Sequence, residues 1–181
     1  MNTITIIAIV ILAILLTIAS MGYIFYSLIK RYFDNEQKKA LLELKINNQK
    51  EALKIVNPIR LQAYERMALF LERISPNSLI MRCYQPGMNL QLLQGVMTKN
   101  IRSEWEHNLS QQVYISSEAW NRIREAKEEM INLINSTAAN MNPEADPTSL
   151  AGAIFQSVAG GHIPTDEALE FLKKEIQEHF E

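Results

Sequence analysis

Charge is missing from the first part of this chain. No Asp, Glu, Lys, Arg or His precedes Lys30, which leaves an apolar run of 26 residues over 4–29. A helix of that length measures roughly 39 Å at about 1.5 Å per residue, and the hydrocarbon core of a bilayer is ~30 Å thick. The run therefore predicts a transmembrane anchor over 1–29 that crosses the bilayer with some tilt.

A cleaved signal peptide is the alternative interpretation of the same run. Signal peptides begin with basic residues and have an apolar core of only ~7–15 residues. Residues 1–3 carry no basic side chain and the apolar run is much longer, although 17–19 resembles a weak cleavage site. The length of the run favours the anchor.

Basic side chains follow the run and none precedes it. Because cytoplasmic flanks carry the excess of Lys and Arg, we expect the N-terminus outside and residues 30–181 in the cytoplasm. Aromatic side chains gather at the same end, as they do at membrane–water interfaces. The predicted interfacial residues are Tyr23, Phe25, Tyr26, Lys30, Arg31, Tyr32 and Phe33.

Cysteine is nearly absent, since Cys83 is the single one in the chain. One cysteine permits no intramolecular disulfide, which agrees with a reducing compartment. Its neighbours over 79–84 are mostly apolar, whereas a nucleophilic thiol needs a base or cation beside it. This favours a packed structural thiol.

The charge that is present is divided unevenly between two parts of the chain. The formal charge is +4 over 30–60 and −6 over 61–181. A basic juxtamembrane helix, predicted over 30–57, suits anionic lipid headgroups, unless its own acidic residues merely balance its cations. The acidic remainder argues against nucleic acid, which needs a basic face. We expect the lipid bilayer as a partner, and neither nucleic acid nor a small molecule.

A short heptad pattern occupies residues 40–56. Apolar residues recur there at alternating steps of four and three, with one polar interruption, at Leu42, Ile46, Gln49, Leu53 and Val56. This spacing is typical of a coiled-coil seam, although only two heptads are present. The helix therefore pairs with a second copy or another protein, or it folds back on its own domain.

The rest of the chain predicts an all-α fold. Asn57-Pro58 is expected to end the juxtamembrane helix and to cap the next one. No stretch alternates with period two, so residues 58–181 are expected to form a cytoplasmic bundle of five to six helices. We predict these helices over 59–74, 76–84, 89–112, 118–140 and 150–158, with the last one beginning at Pro164.

One pair of residues is typical of a metal site. Glu104 and His107 are three residues apart, as in carboxylate-bridged di-iron bundles. Such a site needs a second Glu-x-x-His, and the chain contains none. The motifs of phosphate-binding loops, zinc proteases and serine hydrolases are also missing. We therefore predict no metal, cofactor or catalytic residue, and an enzyme or metal-binding bundle around Glu104 and His107 is the alternative function.

Charged and aromatic side chains of the predicted bundle are candidates for protein interaction. Arg66 and Arg73 are placed to pair with Glu104 or His107 across facing helices, or to lie exposed to solvent. Trp105 and Trp120 are either core residues or interface anchors, since Trp is enriched in binding hot spots. The predicted interaction residues are Tyr64, Arg66, Arg73, Glu104, Trp105 and His107.

Three stretches resemble a known group of proteins. Residues 61–67 (LQAYERM), 71–74 (LERI) and 101–112 (IRSEWEHNLSQQ), followed by Ala119-Trp120, resemble a family of uncharacterised bacterial membrane-anchored helical proteins. The resemblance covers about 57–181 and implies a bacterial inner-membrane location, with no assigned activity. Together these features predict a single-pass interaction or scaffold protein, a subunit or organiser of an inner-membrane assembly.

Overall fold

The computed structural model describes residues 3–161 and 163–180, and within these ranges it contains helices and no strand. The prediction of an all-α fold is confirmed. The helices are α1 (Thr3–Ile74), α2 (Pro76–Cys83), α3 (Leu90–Asn108), α4 (Ser117–Ala139), α5 (Pro147–Val158) and α6 (Pro164–Phe180), with a 3-10 helix at Leu109–Val113 between α3 and α4.

The helix starts follow local capping chemistry. Asn89 accepts a hydrogen bond from the backbone N–H of Leu92 at 2.8 Å, and the Ser116 hydroxyl accepts one from Ala119 at 3.0 Å. Such caps satisfy backbone donors that have no partner inside the helix. Proline at the first position of α2, α5 and α6 adds a preset backbone angle. The starts of α2 and α6 are as predicted, whereas α5 begins at Pro147, before the predicted start at 150.

The expected break at Asn57-Pro58 is wrong, because α1 runs through it with Pro58 inside the helix. Proline removes one backbone hydrogen bond and costs ~3 kcal/mol within a helix. The residues after it offset that cost, since Ala63 and Met67 are fully buried and require helical phase to stay on the covered face. A cap would also have required Asn57 to leave the helical conformation.

The chain divides into two compact units, one ending at Ile55 and the other beginning at Val56. The first unit is the N-terminal part of α1, and its described side chains are exposed apart from a half-exposed Ser27. Within the described residues, α1 is the one helix long and apolar enough to cross a membrane. The predicted domain boundaries at 29 and 57 stay a prediction.

The second unit is a helical bundle around a single core. Ala63, Met67, Phe70 and Ile74 form a stripe of α1 that is fully covered. Residues of α3 and α4 belong to the same apolar cluster, among them Leu93, Met97, Ile101, Ile123, Met130 and Ile134. Leu172 completes the core from α6, while Trp105 and Trp120 lie half-buried at its edge. Burial of a continuous stripe from each helix is what holds such a bundle together.

Candidate functional site

A three-residue ionic cluster joins the end of α1 to α2 and α3. Arg73 Nη2 lies 2.6 Å from Glu104 Oε1, and Arg82 Nη2 lies 3.1 Å from the same oxygen. Arg82 also donates from Nη1 to the backbone carbonyl of Arg73, one of the last carbonyls of α1. The cluster therefore caps a helix end and fixes the register of three helices.

Glu104 and His107, the pair of the alternative metal site, are each engaged by other groups of the protein. Glu104 faces two guanidinium groups, and His107 Nδ1 lies 2.7 Å from the Ser103 carbonyl of its own helix. Because a carbonyl only accepts, Nδ1 carries the hydrogen in this contact. Among residues 3–161 and 163–180, no group of three possible ligands is close enough to hold a metal ion.

Aromatic rings form the second cluster, at the edge of the core. The rings of Trp105 and Trp120 stack with their centroids 4.4 Å apart, and Phe70 lies 5.6 Å from Trp105. Lys127 Nζ lies 4.9 Å from the Trp105 ring centre and 2.6 Å from Glu128 Oε1. Lys127 is only 9% exposed, so its stem packs among the rings while its charge meets the ring face and a carboxylate.

Tyr64 is the third feature, because its hydroxyl is buried without a well-formed hydrogen bond to any described atom. Burial is the main cause that raises its pKa, and the negative charge of Glu175 adds to the shift. The Ser116 backbone and Arg60 act in the opposite direction and lower the pKa of Tyr64, although neither meets hydrogen-bond geometry with Tyr64 Oη. Arg60 instead donates to the Tyr114 carbonyl at 3.2 Å.

An open groove lies between the start of α4 and the second half of α6. Its volume is about 430 Å³, and five of its seven lining residues are charged. Arg122 lies over the Phe171 ring at 4.4 Å and pairs with Glu118 at 2.9 Å. The lining residues are Ser116, Glu118, Arg122, Phe171, Lys174, Glu175 and Glu178.

The structure brings together some of the predicted interaction residues and separates others. Arg73 and Glu104 bind each other, and Trp105 packs against the core. Tyr64 is buried, whereas Arg66 and His107 have exposed side chains. Sequence reasoning missed Arg82 and Lys127 as members of these clusters, because the contacts of each depend on the angle at which two helices cross.

The residues predicted at the membrane interface all lie on the first part of α1. Each of Tyr23, Phe25, Tyr26, Lys30, Arg31, Tyr32 and Phe33 has an exposed side chain. The Tyr32 and Phe33 rings meet edge to face, with centroids 6.1 Å apart.

The apolar heptad residues that follow are equally uncovered. Leu42 is 58% exposed, Ile46 41%, Leu53 54% and Val56 42%. Soluble proteins rarely leave a continuous apolar stripe open to water, so this stripe is a candidate contact surface.

These features define an all-α protein with one long, exposed apolar helix and a compact helical bundle. The chain belongs to a family of unknown function (DUF7935), whose sequence model matches residues 5–179. The predicted membership of an uncharacterised family is therefore confirmed, and the match takes in the apolar helix as well as the bundle. Neither a curated protein nor a solved structure matches the chain.

Proposed function

We propose that this protein is a single-pass membrane protein that holds a helical interaction domain at the cytoplasmic face of the bacterial inner membrane. One observation carries the proposal: the uncharged run over 4–29 forms a helix whose described side chains are almost all exposed. Each Å² of apolar surface left in water costs about 25 cal/mol, so a helix of this kind is stable when lipid covers it.

The flanking residues support the orientation. Lys30 and Arg31 end the apolar run. The nearest aromatic residues flank them in the sequence, with Tyr26 before them and Tyr32 and Phe33 after them. Cations at the cytoplasmic boundary and amphipathic rings at headgroup depth are the usual pattern of a span with its N-terminus outside. The resemblance to bacterial membrane-anchored proteins supports the inner membrane as the location.

Two observations support interaction over reaction. The Glu104 carboxylate is engaged by the guanidinium groups of Arg73 and Arg82, which gives it a structural role in joining three helices. The apolar stripe at Leu42, Ile46, Leu53 and Val56 is a contact surface with no chemistry of its own. We therefore assign the chain the role of subunit or organiser in a membrane assembly.

Extraction of membranes at alkaline pH tests the anchor. The double variant Ile14→Lys with Ile18→Lys places two cations near the centre of the span, at about 2.5–3.5 kcal/mol each. We expect the parent chain in the membrane pellet and the variant in the soluble fraction. Leu41→Lys with Leu44→Lys is the matched control, because it adds the same charge outside the span. Release of the parent chain would contradict the proposal.

Capture of the tagged full-length chain from its native membrane, in mild detergent, tests the interaction role. We expect a stoichiometric protein that survives washing, and Arg66→Glu on the exposed face of α1 is the variant to compare. Recovery of a chain that carries a bound metal or small molecule and no protein would favour the enzyme alternative.

A further inference from the structure

The exposed stripe on α1 has the features of a seam between two copies of this chain. Leu42, Gln49 and Val56 take position d of a heptad repeat, and Ile46 and Leu53 take position a. The four apolar members are between 41% and 58% exposed.

We propose that residues 42–56 pair with the same residues of a second copy, in parallel and in register. This rests on the proposed function, because the anchor supplies the geometry. Identical spans insert in the same direction, which excludes an antiparallel pair. Identical spans also hold each residue of the stripe at the same distance from the membrane as its counterpart. The two stripes therefore meet in register, with no shift along the helix axis.

Charge complementarity supports a parallel pair. In this register Lys38 at position g lies opposite Glu43 at position e of the other copy, and the contact occurs twice by symmetry. Lys45 and Lys50 face each other in the next heptad, which opposes pairing there. The attractive pairs lie at the membrane-proximal end of the seam, where the anchors hold the two helices close. Lys39 takes position a at the same end and meets its own copy, which opposes pairing there and offsets part of that attraction.

Gln49 supports identical residues meeting across the seam. An amide side chain both donates and accepts, so two copies of Gln49 can hydrogen-bond to each other, whereas an apolar partner would leave both groups unsatisfied. A single polar residue in a seam fixes register at some cost in stability.

The length of the seam explains why pairing requires the membrane. Two heptads are fewer than the three or four that usually sustain a coiled coil in water. Confinement of both chains to one bilayer raises their effective concentration and makes a short seam sufficient. Pairing is therefore a property of the full-length chain in its membrane.

Disulfide scanning in isolated membranes tests the proposal on the full-length chain. Single cysteines are introduced at each position from 45 to 53 and oxidised, and the parent chain gives the background from Cys83, which is buried. We expect covalent dimers to form most at 46, 49 and 53 and several-fold less at 47, 48 and 51. Equal yields at all positions, or yields no higher than those of the parent chain, would overturn the proposal.

Two charge variants with matched composition sharpen the test. Ile46→Glu with Leu53→Glu disrupts the seam, whereas Leu44→Glu with Ile55→Glu changes the same residue types on exposed positions beside it. We expect the first pair to abolish cross-linking at Gln49→Cys and the second to retain it. The reverse result, or cross-links only to a different protein, would overturn the second copy as the occupant.

The membrane pellet of each sample separates the two proposals. Loss of dimers from a chain that stays in the pellet overturns the pairing alone. A parent chain that is absent from the pellet overturns the anchor, and the pairing with it.

Discussion

Two regions of α1 carry residues at the same four-and-three spacing, and their surroundings differ completely. In the bundle, Ala63, Met67, Phe70 and Ile74 are at most 1% exposed, whereas Leu42 and Leu53 in the preceding segment are more than half exposed. The spacing is the same because each stripe runs along one face of the helix, and residues on one helix face recur every three or four positions. The difference shows that periodicity predicts which face of a helix is apolar and does not predict whether that face is covered within the chain.

Leucine truncation in each region provides the largest expected contrast. Leu71→Ala removes a fully buried side chain and should lower the free energy of unfolding by about 2–5 kcal/mol. Leu53→Ala removes the same atoms from a side chain that is 54% exposed, so a single copy should lose less than about 1 kcal/mol. Thermal unfolding of the full-length chain in detergent, followed by circular dichroism, measures both. Equal losses would show that residues 40–56 are covered within one chain.

Removal of the central charge of the ionic cluster should have an intermediate effect. Glu104→Gln leaves Arg73 and Arg82 together without their shared carboxylate, which we expect to cost about 1 kcal/mol because the groups are partly exposed. Glu106→Gln on the exposed face of the same helix is the control. Denaturant midpoints of both variants give the difference in stability. A midpoint of Glu104→Gln equal to that of the parent chain would show that the cluster does not hold the helices in register.

The smallest expected effect is the pH dependence from Tyr64. Its pKa is raised above the ordinary 10.0, chiefly by burial and then by Glu175, so folding favours the protonated phenol. The contribution to stability is therefore complete below pH 10 and is lost as pH rises through the folded-state pKa. Cys83 shifts in the same direction from 9.0, again because of burial.

The Tyr64→Phe variant isolates that effect. We expect the variant to lose less stability than the parent between pH 8 and pH 10.5, and to match it closely at neutral pH. Chemical unfolding at the two pH values checks this. An identical loss in parent and variant would assign the alkaline sensitivity to other groups, such as Cys83.

Much of the fold follows from local rules that are visible in the sequence. Asn89 and Ser116 cap their helices because their side-chain oxygens reach nearby backbone N–H groups, and Pro76 and Pro164 begin helices for an equally local reason. These interactions span a few residues, so spacing alone predicts them.

Features that depend on tertiary packing could not be predicted in the same way. Pro58 resembles a helix break, but burial of the stripe after it keeps α1 continuous. Arg82 joins Glu104 from 22 residues away, and Lys127 lies over the Trp105 ring across two helices. The helix predicted over 89–112 also gives way to a 3-10 helix after Asn108, and Leu109 at that point is exposed.

The central claim is that a single span holds the bundle on the cytoplasmic side. Fusing the C-terminus of the full-length chain, in parallel, to a reporter active only in the cytoplasm and to one active only outside it tests this most directly. The account predicts a membrane-bound fusion in which the cytoplasmic reporter alone is active. Activity of the external reporter alone, or a fusion that remains soluble, would contradict it.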